Sequence, residues 1–383
     1  MFGFRKSVYL DSNATTSISH DVLRAMKRAM KYNWGNPSAQ YFKGKQSAQL
    51  IEKARQQVAS AITANAHEIY FTSCATESNN AVLKSLFYQF FPQKTKIIST
   101  PIEHPSIINT LEFLTTQGLH VEYCDVDKHG FVDLDNLESL IDNNTFLICC
   151  MLANNEIGTI QNIKAVTAIA KQNNILMFSD CVQALGKIPV NVKELGIDYA
   201  SFSAHKLYGP KGVGALYAKI TAPMIQFMHG GHQEEGTRAG TEGIHNIVGF
   251  GHACKNVEQL INLNHKNAEL SNKFIRDIKS ICKTAVINSP AKDCIPNTIS
   301  ITFPGIKSSE MMLMLDYHNI YVSSGSACSS KEDKPSHVLK AIGLSDQLAE
   351  ETIRISLGKD TSDDDMKFVL KILSKYLNES KQS

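Results

Sequence analysis

SDCVQALGKIPVNVKELGIDYASFSAHKLYGPKGVGALY, residues 179–217, joins an acid at a strand end to a lysine in a loop of small residues. Asp180 closes the apolar run ILMFSD, and an acid at the carboxyl end of such a strand faces the crevice in which α/β proteins bind ligands. Lys206 follows 26 positions later, among Ser, Ala, His and Gly, where a planar group has room. The pair suits pyridoxal phosphate, because Lys206 would form a Schiff base and Asp180 would keep the pyridine nitrogen protonated. Either residue alone is equally well explained as a surface lysine or a capping aspartate.

The sequence before this segment alternates short apolar runs with amphipathic stretches. EIYFTS, KIIST and VEYCDV are separated by helical patterns over residues 77–91 and 106–117. FLICCMLA (146–153) and ILMFSD (175–180) are almost continuously apolar, which is typical of central parallel strands covered on both faces. This βαβ rhythm predicts an α/β fold with a mostly parallel central sheet in a large domain, residues 14–252.

The pattern changes after about Cys254. A long charged amphipathic helix, about Val257–Ile281, leads to the apolar runs NTISITF, IYVSS and TIRISL, which alternate with further helical patterns. This arrangement predicts a smaller α+β domain formed by residues 1–13 and 253–383.

The composition is that of an ordinary globular protein. The 383 residues include 39 Lys and Arg against 37 Asp and Glu, a net charge of +2, and 43% are hydrophobic. This balance gives no electrostatic reason to expect nucleic acid or a membrane as the partner, and a small molecule is favoured. The nine cysteines are scattered without a CxxC pair, and no run of 18 apolar residues or signal-peptide pattern occurs. We therefore expect a cytoplasmic, soluble protein without a disulfide framework.

FTSCATESNN (71–80) passes from a predicted strand through a turn into a helix. Backbone N–H groups at a helix start bind phosphate readily, and Thr76 is the candidate side-chain contributor. Ser203 and His205, which flank the lysine position, would complete a phosphate cup. The same pattern also fits an ordinary helix cap.

SSGSACSSKEDKPSH (323–337) surrounds a single cysteine, Cys328, with small residues. A loop suits a nucleophile that must move, although a cysteine that merely lies in a loop fits equally well. His229 and His232, in the Gly-rich stretch HGGHQEEGTRAGTEG, have no further His or Cys pair at ligand spacing, so no metal site is expected.

Taken together, these segments resemble the cysteine desulfurases of the class V, fold-type I pyridoxal-phosphate family, typified by NifS and IscS. The resemblance runs almost from end to end, and the lysine and cysteine motifs are its most specific parts. The segments, in the family's order, are VYLDSNATT, WGNPSA, FTSCATESNN, IEHPS, NNEIGTIQ, DCVQALGKIPV, SFSAHKLYGPKGVGALY, EEGTRAGTE, SSGSACSS, PSHVL and IRISLG.

The resemblance implies a set of cofactor contacts. Lys206 is similar to the Schiff-base lysine, and Asp180 to the residue that pairs with the pyridine nitrogen. Gln183 resembles the donor to the ring's phenolic oxygen, and His104 the imidazole stacked on the ring. The implied phosphate ligands are Ala75, Thr76, Ser203, His205 and Thr241. Because Thr241 resembles a contact supplied by the neighbouring subunit, a homodimer is also implied.

The resemblance further implies that the chain converts L-cysteine to L-alanine. Asn155 and Arg354 match residues that contact the substrate carboxylate, and a guanidinium fork can bind that group with two hydrogen bonds. Cys328 resembles the nucleophile that takes the sulfur as a persulfide and passes it to an acceptor protein. Lys206 would remove the α-proton, and His104 is the candidate acceptor of the Cys328 proton. Iron–sulfur cluster biosynthesis, transfer RNA thiolation and DNA phosphorothioation all remain open as destinations.

One position departs from the family pattern, because Cys74 stands where many relatives have Gly.

Two other functions are compatible with the sequence. A pyridoxal-phosphate aminotransferase or β-lyase of the same fold would make Cys328 incidental, and a non-catalytic sulfur carrier or scaffold would leave Lys206 without cofactor.

Overall fold

The computed structural model describes residues 7–224, 226–324 and 335–379. The described strands, in chain order, are β1 Val8–Tyr9, β2 Ile69–Thr72, β3 Lys96–Ser99, β4 His120–Tyr123, β5 Thr145–Cys149, β6 Leu176–Asp180, β7 Tyr199–Ser203, β8 Gly214–Ala218, β9 Val286–Ile287, β10 Thr298–Thr302, β11 Ile320–Tyr321, β12 Ser323–Ser324 and β13 Thr352–Ser356. The described α-helices are α1 His20–Tyr32, α2 Phe42–Ala61, α3 Ala75–Phe90, α4 Pro105–Thr115, α5 Leu134–Ser139, α6 Ile163–Gln172, α7 Val192–Leu195, α8 Ile244–Cys254, α9 Val257–Ile281, α10 Ser308–Tyr317, α11 His337–Ala341, α12 Asp346–Glu350 and α13 Asp363–Glu379.

The large sheet has seven strands in the order β2-β8-β7-β6-β5-β3-β4. Among these strands only β8 runs against its neighbours, since it pairs antiparallel with both β2 and β7. The predicted mostly parallel sheet is confirmed, and β5 and β6 lie in its interior as predicted. Parallel strands end at the same edge, so the chain leaves β6 and β7 side by side, with Asp180 opposite Ser201.

Helices cover both faces of this sheet because successive side chains of each strand point to opposite sides. In β3, Ile98 packs into a core with α1, α2 and α8, whereas Ile97 packs into a second core with α3 and α4. Leu147 and Ile148 of β5 divide between the two cores in the same way. Double coverage explains why β5 is buried along its whole length and reads as a continuous apolar run.

The small sheet is antiparallel, in the order β12-β13-β10-β9, and a parallel pair formed by β1 and β11 lies apart from it. Ile353 and Ile355 of β13 pack into one core with α9 and α13. Arg354 lies between them in the strand, so its side chain points to the opposite face of the sheet. The helix predicted over Val257–Ile281 is confirmed with those bounds. The division of the chain into a large domain, residues 14–252, and a small domain, residues 1–13 and 253–383, stays a prediction.

The N-terminal segment connects the two sheets. Ser12 N donates to Ser356 O of β13 at 3.1 Å, and Thr16 N donates to the carbonyl oxygen of His205 at 2.9 Å. Residues 12–16 therefore lie between the small sheet and the end of β7. Among the described helices, none combines the length and hydropathy required to cross a bilayer.

Candidate active site

A cleft with an empty volume of about 1250 Å³ opens where the ends of β6 and β7 face β13. The structure brings ten of the twelve sequence-predicted site residues to its lining: Ala75, Thr76, His104, Asn155, Asp180, Gln183, Ser203, His205, Lys206 and Arg354. The other two are not found there. Thr241 lines surface depressions elsewhere, and Cys328 lies outside the described residues.

Lys206 ends a short 3₁₀ turn, Ala204–Lys206, that directly follows β7. Its Nζ donates to the carbonyl oxygens of Asn13 at 2.5 Å and Ala14 at 2.8 Å. Because the N-terminal segment supplies both carbonyls, the amine is held against the cleft wall by a segment from the other end of the chain.

Asp180 lies at the carboxyl end of β6 and is 5% exposed. Its Oδ2 accepts a hydrogen bond from Asn79 Nδ2 at 3.1 Å, and its Oδ1 accepts one from Val182 N at 2.9 Å. The Asn79 amide also donates to Ser106 Oγ at 2.8 Å, which links the carboxylate to the start of α4. Asp180 is therefore fixed in place by neutral donors.

The start of α3 also lies at the cleft, two residues earlier than the sequence predicts. The helix begins at Ala75, with Cys74 as its N-cap residue, because the carboxylate of Glu77 caps the turn by accepting from Ser73 N at 2.9 Å. The first N–H groups of a helix have no acceptor inside it, so those of Ala75 and Thr76 can bind an anion.

The unusual residue Cys74 fits this turn without backbone strain. Its φ of −174° is extended and open to any residue. Glycine is required instead at Gly214 of β8, because a Cβ added there would lie only 2.7 Å from the backbone carbonyl carbon of Cys74. The close approach of β8 holds the turn against the sheet.

Two polar side chains beside Lys206 belong to the same part of the cleft. Ser203 is the last residue of β7, and His205 Nδ1 lies 3.1 Å from Thr15 Oγ1. Burial lowers the pKa of His205 to about 4, and the nearby charge of Lys206 acts in the same direction. His205 is therefore a neutral polar group at physiological pH.

His104 is the N-cap residue of α4, and its hydrogen bonds determine its tautomer. Ser106 N donates to His104 Nδ1 at 3.1 Å, so Nδ1 is an acceptor and the proton of the neutral ring lies on Nε2. Burial lowers the pKa of His104, although the charge of Asp180 opposes this shift. In this arrangement the free ring nitrogen is a hydrogen-bond donor. The role of His104 as acceptor of the Cys328 proton stays a prediction, since Cys328 lies outside the described residues.

Arg354 reaches the opposite wall of the cleft from β13 and is 2% exposed. Its Nη2 pairs with Asp11 Oδ1 at 2.7 Å, and its Nη1 donates to the carbonyl oxygen of Asn155 at 3.1 Å. Its Nε is buried without a hydrogen-bond partner among the described residues. A buried guanidinium with an unsatisfied N–H suits the carboxylate of a small substrate.

The described residues on both sides of residues 325–334 lie beside this wall. Before the gap, Ser323 pairs with Arg354 in the β12–β13 ladder. After it, Ser336 Oγ donates to Glu156 Oε2 at 2.5 Å, and His337 Nε2 lies 2.8 Å from the carbonyl oxygen of Glu103. Burial raises the pKa of Glu156 to about 7.

Two buried residues that the sequence reasoning did not select complete the site. Asn13 is 1% exposed, and its carbonyl oxygen accepts from both Lys206 Nζ and Gln183 Nε2. Lys187 donates to Gln183 Oε1 and, at 2.7 Å, to Asn13 Oδ1. Both lie in segments already selected, VYLDSNATT and DCVQALGKIPV, but nothing in the sequence distinguishes a buried lysine in ALGKIPV from an exposed one.

Comparisons with known proteins agree with this geometry. The family model described as aminotransferase class-V matches residues 8–369. The chain is 40% identical to the cysteine desulfurase IscS of Dictyoglomus turgidum, over 97% of this chain and 95% of the relative. Among solved structures, a NifS-like protein superposes with a TM-score of 0.92 at 39% identity, covering 97% of this chain and 100% of its own. A structure of SspA in complex with cysteine has a TM-score of 0.81 at 34% identity, covering 92% of this chain and 99% of its own.

Proposed function

This chain belongs to the class-V aminotransferase family, and on that premise we propose that it is a pyridoxal-phosphate-dependent cysteine desulfurase. It converts L-cysteine to L-alanine and carries the sulfur on Cys328 as a persulfide for transfer to an acceptor protein. The observation that supports this function most strongly is the convergence of Lys206, Asp180 and Arg354 on one cleft.

The donor set of the cleft fits the cofactor. Lys206 offers an amine for the aldehyde, and Asp180 offers a buried carboxylate for a protonated ring nitrogen. The start of α3, with Ser203 and His205, offers neutral donors for the phosphate, and Gln183 offers an amide for the phenolic oxygen. When bound, pyridoxal phosphate withdraws electrons from the substrate's α-carbon.

The protein's own residues then perform binding and proton transfer. Arg354 holds the substrate carboxylate, and Asn155, which also lines the cleft, closes that end. The amine of Lys206, once released from the cofactor, accepts the α-proton. His104, with its proton on Nε2, presents a donor to the cleft and so stabilises negative charge there.

The sulfur step needs a thiolate from Cys328. A new S–S bond forms between Cys328 and the substrate sulfur as the Cβ–S bond breaks. The electron pair of the broken bond stays on Cβ, which gains a proton, and the α-carbon regains the proton held by Lys206, so the products are alanine and the Cys328 persulfide.

We also propose that the enzyme acts as a homodimer. Three aromatic residues are largely exposed to solvent, with exposed fractions of 70% for Trp34, 61% for Tyr41 and 71% for Phe42. Trp34 and Thr241 line the same surface depression, and neither belongs to the lining of their own chain's cleft. This placement supports the implied role of Thr241 as a phosphate ligand in the neighbouring subunit.

Free thiols at all eight described cysteines support the expected reducing, cytoplasmic compartment.

The test uses purified protein, L-cysteine and a reductant, with visible absorbance, alanine and persulfide as readouts. We expect Lys206→Ala to lose the yellow cofactor band and turnover, and Cys328→Ala to stay yellow without forming persulfide. Cys294→Ala is the matched control, because Cys294 lies outside the cleft. Continued sulfide release by Cys328→Ala would establish a β-lyase instead, and a colourless wild-type protein would establish a non-catalytic carrier.

A further inference from the structure

Lys187 is a buried lysine whose hydrogen bonds go to amide oxygens. It is 7% exposed, and its Nζ donates to Asn13 Oδ1 and Gln183 Oε1. No carboxylate lies within ion-pair distance of it in the part of the chain that the structure describes. Burial lowers the pKa of Lys187 well below its usual range, and the charges of Lys206 and Arg354 act in the same direction.

The hydrogen bond to Oε1 determines which end of the Gln183 amide enters the cleft. An amide group can turn over and exchange its oxygen for its NH₂ unless its partners distinguish them. Lys187 donates to Oε1, so Oε1 lies on its side and Nε2 on the other, where it donates to Asn13 O at 3.0 Å.

Lys187 orients Asn13 by the same means. Asn13 Oδ1 accepts from Lys187, so its Nδ2 faces away and donates to Asn155 O at 3.0 Å and Thr298 Oγ1 at 2.7 Å. The main-chain oxygen of the same residue accepts from Lys206 Nζ at 2.5 Å. One buried amine thus fixes the amides beside both the catalytic lysine and the substrate-binding wall.

We propose that Lys187 is a positioning residue, which holds the amides of Gln183 and Asn13 so that a hydrogen-bond donor faces the phenolic oxygen of the cofactor and the carbonyl oxygen of Asn13 faces Lys206. This role rests on the proposed function. A donor at the phenolic oxygen stabilises its negative charge and so favours loss of the proton from the linkage between cofactor and Lys206. Removal of Lys187 therefore raises the pH at which that linkage loses its proton.

The experiment titrates the visible absorbance of cofactor-loaded protein with pH in wild type, Lys187→Met and the control Lys96→Met. Lys96 is 5% exposed but lies outside the cleft, bound to Glu122 and Asp142. We expect the Lys187→Met midpoint to rise by about one pH unit, a tenfold change in the equilibrium, while Lys96→Met keeps the wild-type midpoint. We also expect kcat to fall about tenfold with KM for cysteine within about twofold of wild type.

A double variant tests whether Lys187 acts through Gln183. If it does, Lys187→Met shifts the midpoint in the wild-type background but not in a Gln183→Ala background. Equal shifts in both backgrounds, or no shift in either, overturn the proposal. Lys187→Gln keeps an NH₂ donor group and five side-chain heavy atoms, and it replaces Lys187→Met if that protein does not fold. Its expected shift has the same direction and is smaller, and an unchanged midpoint overturns the proposal.

The proposed function is tested by the wild-type arm alone. A wild-type protein that binds no cofactor or forms no alanine contradicts the desulfurase function. A wild-type protein that does both, beside a Lys187→Met protein with unchanged midpoint and kcat, contradicts only the positioning role.

Discussion

The two walls of the cleft hold their charges differently. On the large-sheet wall, Lys206 contacts main-chain carbonyls and Asp180 is bound by an amide and a backbone N–H. On the small-sheet wall, Arg354 is paired with the carboxylate of Asp11. Carbonyl and amide partners allow a group to gain or lose a proton at low cost, whereas an ion pair fixes the charge. The first wall therefore suits proton transfer, and the second suits binding of a constant anion.

The largest expected effect tests the first wall. Asp180→Asn keeps the shape of the side chain but removes its charge, so the cofactor's ring nitrogen loses its proton and withdraws electrons less. We expect the rate of alanine formation to fall about a thousandfold, or ~4 kcal/mol in activation free energy, with cofactor still bound. Asp198→Asn is the control, because Asp198 also accepts from a backbone N–H of β6 but lies away from the cleft. Wild-type turnover in Asp180→Asn would show that the charge is not required.

The second prediction tests the opposite wall. Arg354→Met removes a buried charge that binds the substrate carboxylate, and we expect kcat/KM for cysteine to fall about a hundredfold, mainly through KM. The pH titration of the cofactor band should stay within about 0.3 units of wild type, because this wall does not carry the transferred proton. A loss confined to kcat would contradict the division between the walls. Arg354→Lys serves as the partial-rescue control, since it keeps the charge without the fork.

The third prediction concerns Glu156, which lies beside the second wall and has a pKa of about 7, raised by burial. An acid whose pKa is higher in the folded state than its ordinary value of 4.5 destabilises the fold as the pH rises between those two values. We expect Glu156→Gln to remove this loss, so that its free energy of unfolding exceeds that of wild type by up to about 3 kcal/mol more at pH 8 than at pH 4.5. Chemical denaturation at both pH values measures the difference. An identical difference at the two pH values would mean that folding does not raise the pKa of Glu156.

The smallest expected effect tests whether the neighbouring subunit supplies a phosphate ligand, Thr241, to the large-sheet wall. Thr241→Val removes one hydroxyl donor while keeping the side-chain shape, and we expect the dissociation constant for cofactor to rise about tenfold. Thr237, which is buried in the same Gly-rich segment but does not line the cleft, offers the matched control as Thr237→Val. Mixed dimers of Thr241→Val and Lys206→Ala chains separate the alternatives. In a mixed dimer the intact Lys206 lies in the chain that carries Thr241→Val. If Thr241 serves the neighbouring subunit, this site binds cofactor with wild-type affinity. If Thr241 serves its own cleft, the site shows the weak affinity of the Thr241→Val homodimer.

Much of the large-sheet wall could be predicted from the sequence. The rule that parallel strands end at a common edge was enough to bring Asp180 and Lys206 together, although 26 residues separate them. The apolar runs of β5 and β6 identified the interior of the sheet, because coverage on both faces leaves a continuous apolar signature.

The contacts between the walls could not be predicted in the same way. Arg354 and Asp11 are separated by 343 positions, and their pairing depends on how the N-terminal segment crosses between the two sheets. Asn13 and Lys187 are polar residues whose burial follows from that crossing rather than from any local pattern. The tautomer of His104 depends on one backbone N–H of α4, so its chemical role could be read only from the structure.

The most direct test of the central claim is to reduce the cofactor-loaded protein with borohydride and map the modified peptide by mass spectrometry. Lys206 and Lys187 both donate to Asn13, but only Lys206 lines the cleft, so Lys187 serves as the internal comparison. The account predicts the pyridoxyl group on Lys206 and none on Lys187. Modification of Lys187, or of neither lysine, would contradict it.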